Sequence, residues 1–149
     1  MSEIFKKQFK ARWADMDYNG HMANTAYLDL AGDVRMLYFE ENGFFMKNFA
    51  ELHMGPVVFK DEIEYFKEVR LMENIEVHHL IAGYSEDGSK FRIRNIFYRS
   101  DGKKAASITS TGGWLDLKAR KLVLPPQKLF NAFKQLVKAD DFEILPNRS

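Results

Sequence analysis

The 149-residue sequence contains no cysteine. Disulfide bonds, thiolate metal sites, iron–sulfur clusters and cysteine nucleophiles are therefore excluded, and the composition fits a reducing cytoplasm. The sequence also has almost no excess of one charge sign, because 22 Lys and Arg residues against 21 Asp and Glu residues give a net charge of +1. No broad positive surface favours nucleic acid as a partner.

Long hydrophobic runs are missing as well. The uncharged stretches at 18–28 and 105–115 are far shorter than the roughly 20 residues of a membrane-spanning helix. The first residues lack the continuous apolar segment of a signal peptide, so a cytoplasmic protein is expected. No glycine-rich phosphate-binding loop is present, and at this length a single domain over residues 1–149 is expected.

The first third of the sequence has a strand pattern followed by a helix pattern. Apolar and polar residues alternate over 5–13, which predicts a half-buried strand. A polar loop follows, and Asn24 is the expected N-cap of a long helix that ends near 41–43. The helix is apolar on more than one face, which favours a helix wrapped by other elements.

The remaining sequence predicts a short helix, four more strands and a last helix. The strands alternate in polarity and are joined by turn sequences rich in Asp and Gly. The predicted ranges are 45–52 for the short helix, 56–65, 75–84, 90–99 and 104–117 for the strands, and about 127–139 for the C-terminal helix, with a polar tail after it. This order predicts an α+β fold, a five-stranded antiparallel sheet around the long helix.

Three polar side chains, Asp15, Asp17 and His21, lie within seven residues where the first strand leads into the long helix. The N-terminus of a helix presents free backbone N–H groups that bind developing negative charge. A carboxylate there could attack an acyl carbonyl or activate water, while amides near Asn24 stabilise the oxyanion. Clusters of Asp, Asn and Gly are equally typical of ordinary turns.

The segment 12–28, RWADMDYNGHMANTAYL, resembles the signature D-x-D-x-x-G-H-V-x-N-x-x-Y of hotdog-fold acyl-CoA thioesterases related to 4-hydroxybenzoyl-CoA thioesterase. The similarity extends to the second strand, at 55–65, and to the last hairpin, at 91–117. It covers about residues 3–126. The resemblance implies a hotdog fold and hydrolysis of acyl-CoA or acyl carrier protein thioesters without a cofactor or metal.

The resemblance assigns roles to residues of the loop. Asp17 matches the catalytic carboxylate, which is a nucleophile in some members and a general base in others. His21 and Asn24 match the residues that flank the site, with the backbone N–H of Asn24 polarising the thioester carbonyl. Asp15, Gly20 and Tyr27 are secondary, substrate-binding candidates. For Asp15 we expect support of the loop through hydrogen bonds, and for Tyr27 core packing.

The sequence departs from the family pattern at three positions. Met22 replaces the usual Val and Ala23 a frequent Asn, and both changes are conservative for the loop geometry. Gly32 stands where an Asp that contacts a ring hydroxyl would be expected, so the resemblance favours an ordinary acyl chain over hydroxybenzoyl. Chain length depends on pocket depth, which the sequence does not show.

Alternatives from other classes remain open at this point. A non-catalytic acyl-thioester-binding hotdog protein would need the same cavity. The Asp-x-Asp pattern also occurs in haloacid dehalogenase phosphotransferases, but these need a parallel α/β scaffold. A histidine metal site is disfavoured, because adjacent His78 and His79 point to opposite faces of a strand.

The resemblance finally implies a homodimer or homotetramer with the active site at the subunit boundary. Five strands would leave sheet edges that association could cover.

Overall fold

The computed structural model describes residues 3–147, whose elements follow the predicted order with two added strands. The helices and strands are α1 (Asn24–Glu41), α2 (Met46–Leu52), α3 (Gln127–Gln135), β1 (Phe5–Lys10), β2 (Met54–Tyr65), β3 (Asn74–Ser85), β4 (Lys90–Arg99), β5 (Lys104–Asp116), β6 (Leu122–Val123) and β7 (Lys138–Leu145). Among these residues no helix is long and apolar enough to cross a membrane.

The five predicted strands form one antiparallel sheet in the order β1-β3-β4-β5-β2. Helix α1 comes between β1 and β2 in the chain and packs on this sheet. The predicted α+β class, with one large sheet and a long helix, is confirmed.

Helix α1 has two apolar faces with different surroundings. One face carries an apolar stripe at helical spacing, including Tyr27, Ala31 and Val34, and is buried in a core with the sheet, except at Leu37, which is 38% exposed. Leu28 and Met36, which lie off that stripe, are 36% and 46% exposed. The sheet therefore covers one face of α1, and the second face is left to line a groove.

Strand β1 ends at Lys10, earlier than the predicted end near residue 13. Residues Trp13–Asp15 form a 3₁₀ turn, which the side chain of Asp15 closes by accepting the backbone N–H of Arg12 at 2.9 Å. The alternation of polarity continues through this turn, but the hydrogen bonds of a strand do not.

The C-terminal region differs from the predicted helix and polar tail. Helix α3 ends at Gln135 because Leu136 adopts an extended conformation, and residues Lys138–Leu145 form β7, parallel to β3. The apolar residues of β7 that turn toward the core, Ala139, half-buried Phe142 and Leu145, are three residues apart instead of two, since the pairing with β3 is irregular between Ile81 and Gly83. An irregular register disturbs the alternation of buried and exposed residues, so the sequence pattern does not indicate this strand.

Candidate active site

The loop between β1 and α1 is tied to the molecule at both ends. The backbone N–H of Ala11 donates to Glu73 O at 2.9 Å, and Met22 N–H donates to Val69 O at 2.8 Å. Between them Met16 and Met22 form an isolated antiparallel bridge. The loop is therefore a small hairpin that projects from the sheet at the N-terminal end of α1.

Asp15 faces inward and supports this loop. Its carboxylate is buried and receives the backbone N–H and the guanidinium of Arg12, whose Nη2 lies 3.1 Å from Oδ1. These hydrogen bonds hold the pKa of Asp15 below its usual value. The backbone oxygen of Asp15 also accepts the N–H of Ala23 at 2.8 Å.

Asp17 begins the turn at the tip of the hairpin and is exposed. Its Oδ1 accepts the backbone N–H of Asn19 at 2.9 Å and that of His21 at 3.3 Å. Gly20 closes the turn with φ +75°, a backbone conformation that favours glycine. Within residues 3–147 no hydrogen bond reaches Oδ2, so one carboxylate oxygen orients the group and the other is available.

His21 is paired with a residue that sequence reasoning missed. Its Nε2 lies in close contact with the carboxylate of Glu68, from the segment between β2 and β3. The backbone of His21 forms a bridge with Arg70 in the same segment. Nothing in the local pattern at residue 68 pointed to this contact, because it depends on where two distant segments cross.

Helix α1 begins one residue earlier than predicted. Ala23 is the N-cap, with φ −72° and ψ 152°, and Asn24 is the first helical residue, so the expected N-cap role of Asn24 is wrong. Ala23 has no side-chain oxygen to cap the helix, and no acidic residue lies in the first turn. Within residues 3–147 the backbone N–H groups of Asn24 and Thr25 have no acceptor, so both can bind an anion.

Tyr27 lies in the core and is 2% exposed. Its ring makes edge contacts with the rings of Tyr65 at 5.5 Å and Phe97 at 5.1 Å between centroids. Burial raises the pKa of Tyr27 to about 12. The structure thus gathers Asp17, Gly20, His21 and Asn24 at the outer end of α1, while Asp15 and Tyr27 point inward.

A groove of about 380 Å³ runs beside α1 and begins at Leu28, one turn beyond Asn24. Helix residues form one wall, and strand residues and α3 form the other. The residues that line the groove include Leu28, Asp29, Gly32, Asp33, Arg35 and His79. A second, largely apolar cavity of about 320 Å³ shares Met36, Phe39 and Pro56 with the groove.

A polar network lies beneath the groove, and sequence analysis did not predict it. Arg35 donates from Nε to Oδ1 of Asn95 at 3.0 Å and from Nη2 to Oγ of Ser110 at 2.7 Å. Ser110 in turn donates to the carboxylate of Asp61, its cross-strand neighbour. Burial lowers the pKa of Arg35, and Asp61 opposes that shift.

Asn95 links this network to His79. Its Nδ2 lies 2.9 Å from Nδ1 of His79, which is 1% exposed. Burial, with a smaller effect of Arg35, lowers the pKa of His79 to about 3, so the imidazole is neutral. The sequence did carry a signal, because Asn95 interrupts the apolar inward positions Ile93 and Phe97 of β4.

Metal ligands do not cluster in the part of the chain that the structure describes. There, no group of three or more His, Cys, Asp or Glu side chains could hold an ion.

Residues 11–133 match the model of the thioesterase-like superfamily. This match confirms the family resemblance seen in residues 12–28. A curated relative, the L-carnitine dehydrogenase/betainyl-CoA thioesterase of Agrobacterium fabrum, is 27% identical over 121 residues, which are 81% of this chain. The chain spans about a quarter (24%) of that relative's length.

Solved structures share the fold at low sequence identity. A Staphylococcus aureus protein solved in complex with CoA is 17% identical with a TM-score of 0.81, over 91% of this chain and 87% of that one. The 1,4-dihydroxy-2-naphthoyl-CoA thioesterase of Synechocystis is 14% identical with a TM-score of 0.79, over 89% and 96% of the two chains. These likenesses confirm the predicted hotdog fold.

Proposed function

Because the chain belongs to the thioesterase-like superfamily, we propose that it hydrolyses acyl-CoA thioesters to a free acid and CoA. The observation that carries the proposal is that an oriented, exposed carboxylate, Asp17, lies on the hairpin that leads directly into the uncapped N-terminus of α1. A carboxylate and an oxyanion site are the two elements that thioester hydrolysis needs.

Asp17 is the proposed reacting group. Backbone amides hold Oδ1, so Oδ2 can attack the thioester carbonyl carbon or take a proton from water that attacks it. In the first route the carbonyl–sulfur bond breaks, the thiolate leaves and is protonated, and water cleaves the resulting anhydride. In the second route water adds directly and the thiolate leaves.

The other loop residues have supporting roles. The free N–H groups at Asn24 and the residue after it stabilise the negative charge on the carbonyl oxygen, aided by the helix dipole. His21, paired with Glu68, keeps the hairpin in place. The groove that starts at Leu28 receives the acyl group.

The substrate range has two sources of support. The relatives act on betainyl-CoA and 1,4-dihydroxy-2-naphthoyl-CoA by name, so both acyl groups belong in an assay panel. Acyl carrier protein thioesters carry the same reacting bond and are the second class. A non-catalytic acyl-thioester-binding protein is the alternative function.

Association into a homodimer or homotetramer is part of the proposal. Strand β2 is the last strand of the sheet order, and its outer edge pairs with no strand in residues 3–147. Val58, Phe59, Tyr65 and Phe66, on and just after β2, are each 41–51% exposed. A sheet edge with such apolar side chains is typically covered by another chain or element.

The cytoplasmic location stays a prediction.

Release of free thiol from a panel of short, long, aryl and betainyl CoA esters tests the activity. We expect the wild type to turn over at least one ester and Asp17→Asn to lower kcat by about 100-fold or more. The variant keeps an oxygen that can accept the turn amides, so its melting temperature should stay near that of the wild type. Asp140→Asn, an exposed site on β7, is the matched control.

Two results would contradict the proposal. If Asp17→Asn hydrolysed the esters as fast as the wild type, Asp17 would be neither the nucleophile nor the general base. Absence of turnover on every CoA and carrier-protein ester, together with tight binding of an acyl-CoA, would favour the binding protein instead.

A further inference from the structure

We infer that the groove beside α1 selects an acyl group with a neutral oxygen at its far end, such as a hydroxyl, ether or carbonyl oxygen, and that Arg35 recognises that oxygen. The inference rests on the proposed thioester hydrolysis and specifies its substrate class.

The first step concerns space. Gly32 lies inside α1 and lines the groove, and a Cβ built on it meets no atom within 4 Å. Glycine inside a helix costs about 0.5–1 kcal/mol relative to alanine, and here no close approach of another group requires it. Open room at this position suits a bound group that passes between Leu28 and Arg35.

The second step concerns the guanidinium of Arg35. The sheet holds Nε and Nη2, which gives the group a fixed orientation. Nη1 has no hydrogen-bond partner among residues 3–147. Nη1 is also accessible to solvent. In that range only one side-chain nitrogen or oxygen, Nε of Arg99, is both fully buried and without a hydrogen-bond partner, so an unpartnered Nη1 of Arg35 must be partly exposed. Arg35 therefore has a free donor where it lines the groove.

The third step concerns His79. Arg35 can only donate, so Asn95 must turn its oxygen toward Arg35 and its NH₂ toward His79. Nδ1 of His79 then accepts, and the proton of the neutral ring is on Nε2. Arg35 and His79, which both line the groove, are therefore hydrogen-bond donors, which matches an acceptor on the ligand.

The fourth step concerns charge. The positive charge of Arg35 is compensated by Asp61 through Ser110. Two more carboxylates, Asp29 and Asp33, line the groove. Both are exposed and act on the pKa of Arg12, whereas Asp61 is the carboxylate that acts on Arg35. Because Asp61 already balances Arg35, a carboxylate on the acyl group would be a second, unbalanced anion there and would be repelled. A neutral oxygen satisfies the donor without that repulsion.

The test compares three acyl-CoA esters of equal length: octanoyl-CoA, ω-hydroxyoctanoyl-CoA and octanedioyl-CoA. For the wild type we expect kcat/KM to be about 10-fold or more higher for the hydroxyl ester than for the other two. Arg35→Met keeps a long apolar side chain but loses the donors. It should lower kcat/KM for the hydroxyl ester, mainly through KM, by about 10-fold or more beyond its effect on octanoyl-CoA.

If Arg35 only held the structure together, its replacement would affect hydrolysis of all three esters equally. Arg35→Met would then lower all three rates alike, and this result would overturn the inference, as would a wild-type preference for octanoyl-CoA or octanedioyl-CoA. If Arg35→Met fails to fold, Arg35→Gln, which can keep one hydrogen bond to the sheet but loses the free Nη1 donor, replaces it with the same expected selective loss for the hydroxyl ester.

Failure of the proposed function is distinguishable from failure of this inference. If the wild type hydrolyses no ester, calorimetric binding of the three corresponding non-hydrolysable CoA thioethers replaces the kinetics. Tighter binding of the hydroxyl-ended thioether would support the inference, and equal or weaker binding would overturn it.

Discussion

The side-chain amide of Asn95 donates to Nδ1 of His79 at 2.9 Å, and both side chains are shielded from water. The same amide accepts from Arg35, so α1, β3 and β4 meet at a single polar contact. A histidine held in this way stays neutral at pH values where a free histidine takes up a proton.

Acid should destabilise the protein through His79. Its pKa falls from an ordinary 6.5 to about 3 on folding, so between these values the unfolded chain binds a proton that the native state does not. The stabilisation is full above about pH 6.5 and is lost as pH falls toward 3. Between pH 7 and pH 4 the free energy of unfolding should fall by about 3 kcal/mol from this group alone.

Denaturant unfolding at a series of pH values measures this effect. His79→Gln can still accept from Asn95 but does not titrate, so its stability should depend less on pH over the same range. Parallel pH profiles of the variant and the wild type would show that His79 is not the source.

The contact between His21 and Glu68 should matter more for activity than for stability. Both side chains are partly exposed, at 38% and 51%, so Glu68→Gln should lower the free energy of unfolding by at most about 1 kcal/mol. We expect it to lower kcat by up to about 10-fold, because the hairpin that holds Asp17 loses a tether.

A double-mutant cycle separates this role from others. If His21 acts through Glu68, His21→Asn and the double variant should have similar rates, since the energies of contacting residues are not additive. Strictly additive losses would mean that the two residues act independently. Glu62→Gln, at an exposed position of β2, serves as the control.

Gly32→Ala should stabilise the fold but impair hydrolysis of long acyl-CoA esters. The new methyl group meets no atom within 4 Å, so replacing glycine inside α1 should raise the free energy of unfolding by about 0.5–1 kcal/mol. The methyl group would occupy the groove, and kcat/KM for an eight-carbon acyl-CoA should fall several-fold while acetyl-CoA is unaffected. Equal kinetics with both esters would place the acyl group elsewhere.

Gly83→Ala should loosen β7. A Cβ at this position would lie 2.7 Å from the backbone oxygen of Glu143 and 3.2 Å from the side chain of Leu145. The strand must shift to accept it, at a cost of about 1–3 kcal/mol in the free energy of unfolding. Gly55→Ala, where no atom lies within 4 Å, is the matched control, and a similar small effect of both changes would argue against the packing of β7 on β3.

Much of the fold could be predicted because its elements are periodic. The bounds of β4, Lys90–Arg99, agree with the prediction, and those of β3 and β5 agree within one residue. Errors arose where hydrogen bonds departed from the hydrophobic pattern. The 3₁₀ turn at Trp13–Asp15 keeps an alternating sequence, and β7 is a strand whose buried residues do not alternate.

The candidate site divides in the same way. Asp17, Gly20, His21 and Asn24 are close in sequence, so a loop before a helix brings them together whatever the rest of the chain does. Glu68 could not be predicted, because its contact with His21 forms only when the segment after β2 crosses the hairpin.

The sequence by itself determined the α+β class, the order of the main elements and the loop with its carboxylate, because each depends on patterns within a few residues of one another. Only the tertiary structure decided which polar side chains meet below the groove. Arg35 contacts Asn95 and Ser110 across 60 and 75 residues of chain. Periodicity shows that such residues face inward, but their partners depend on strand order and register, which are set when the sheet forms.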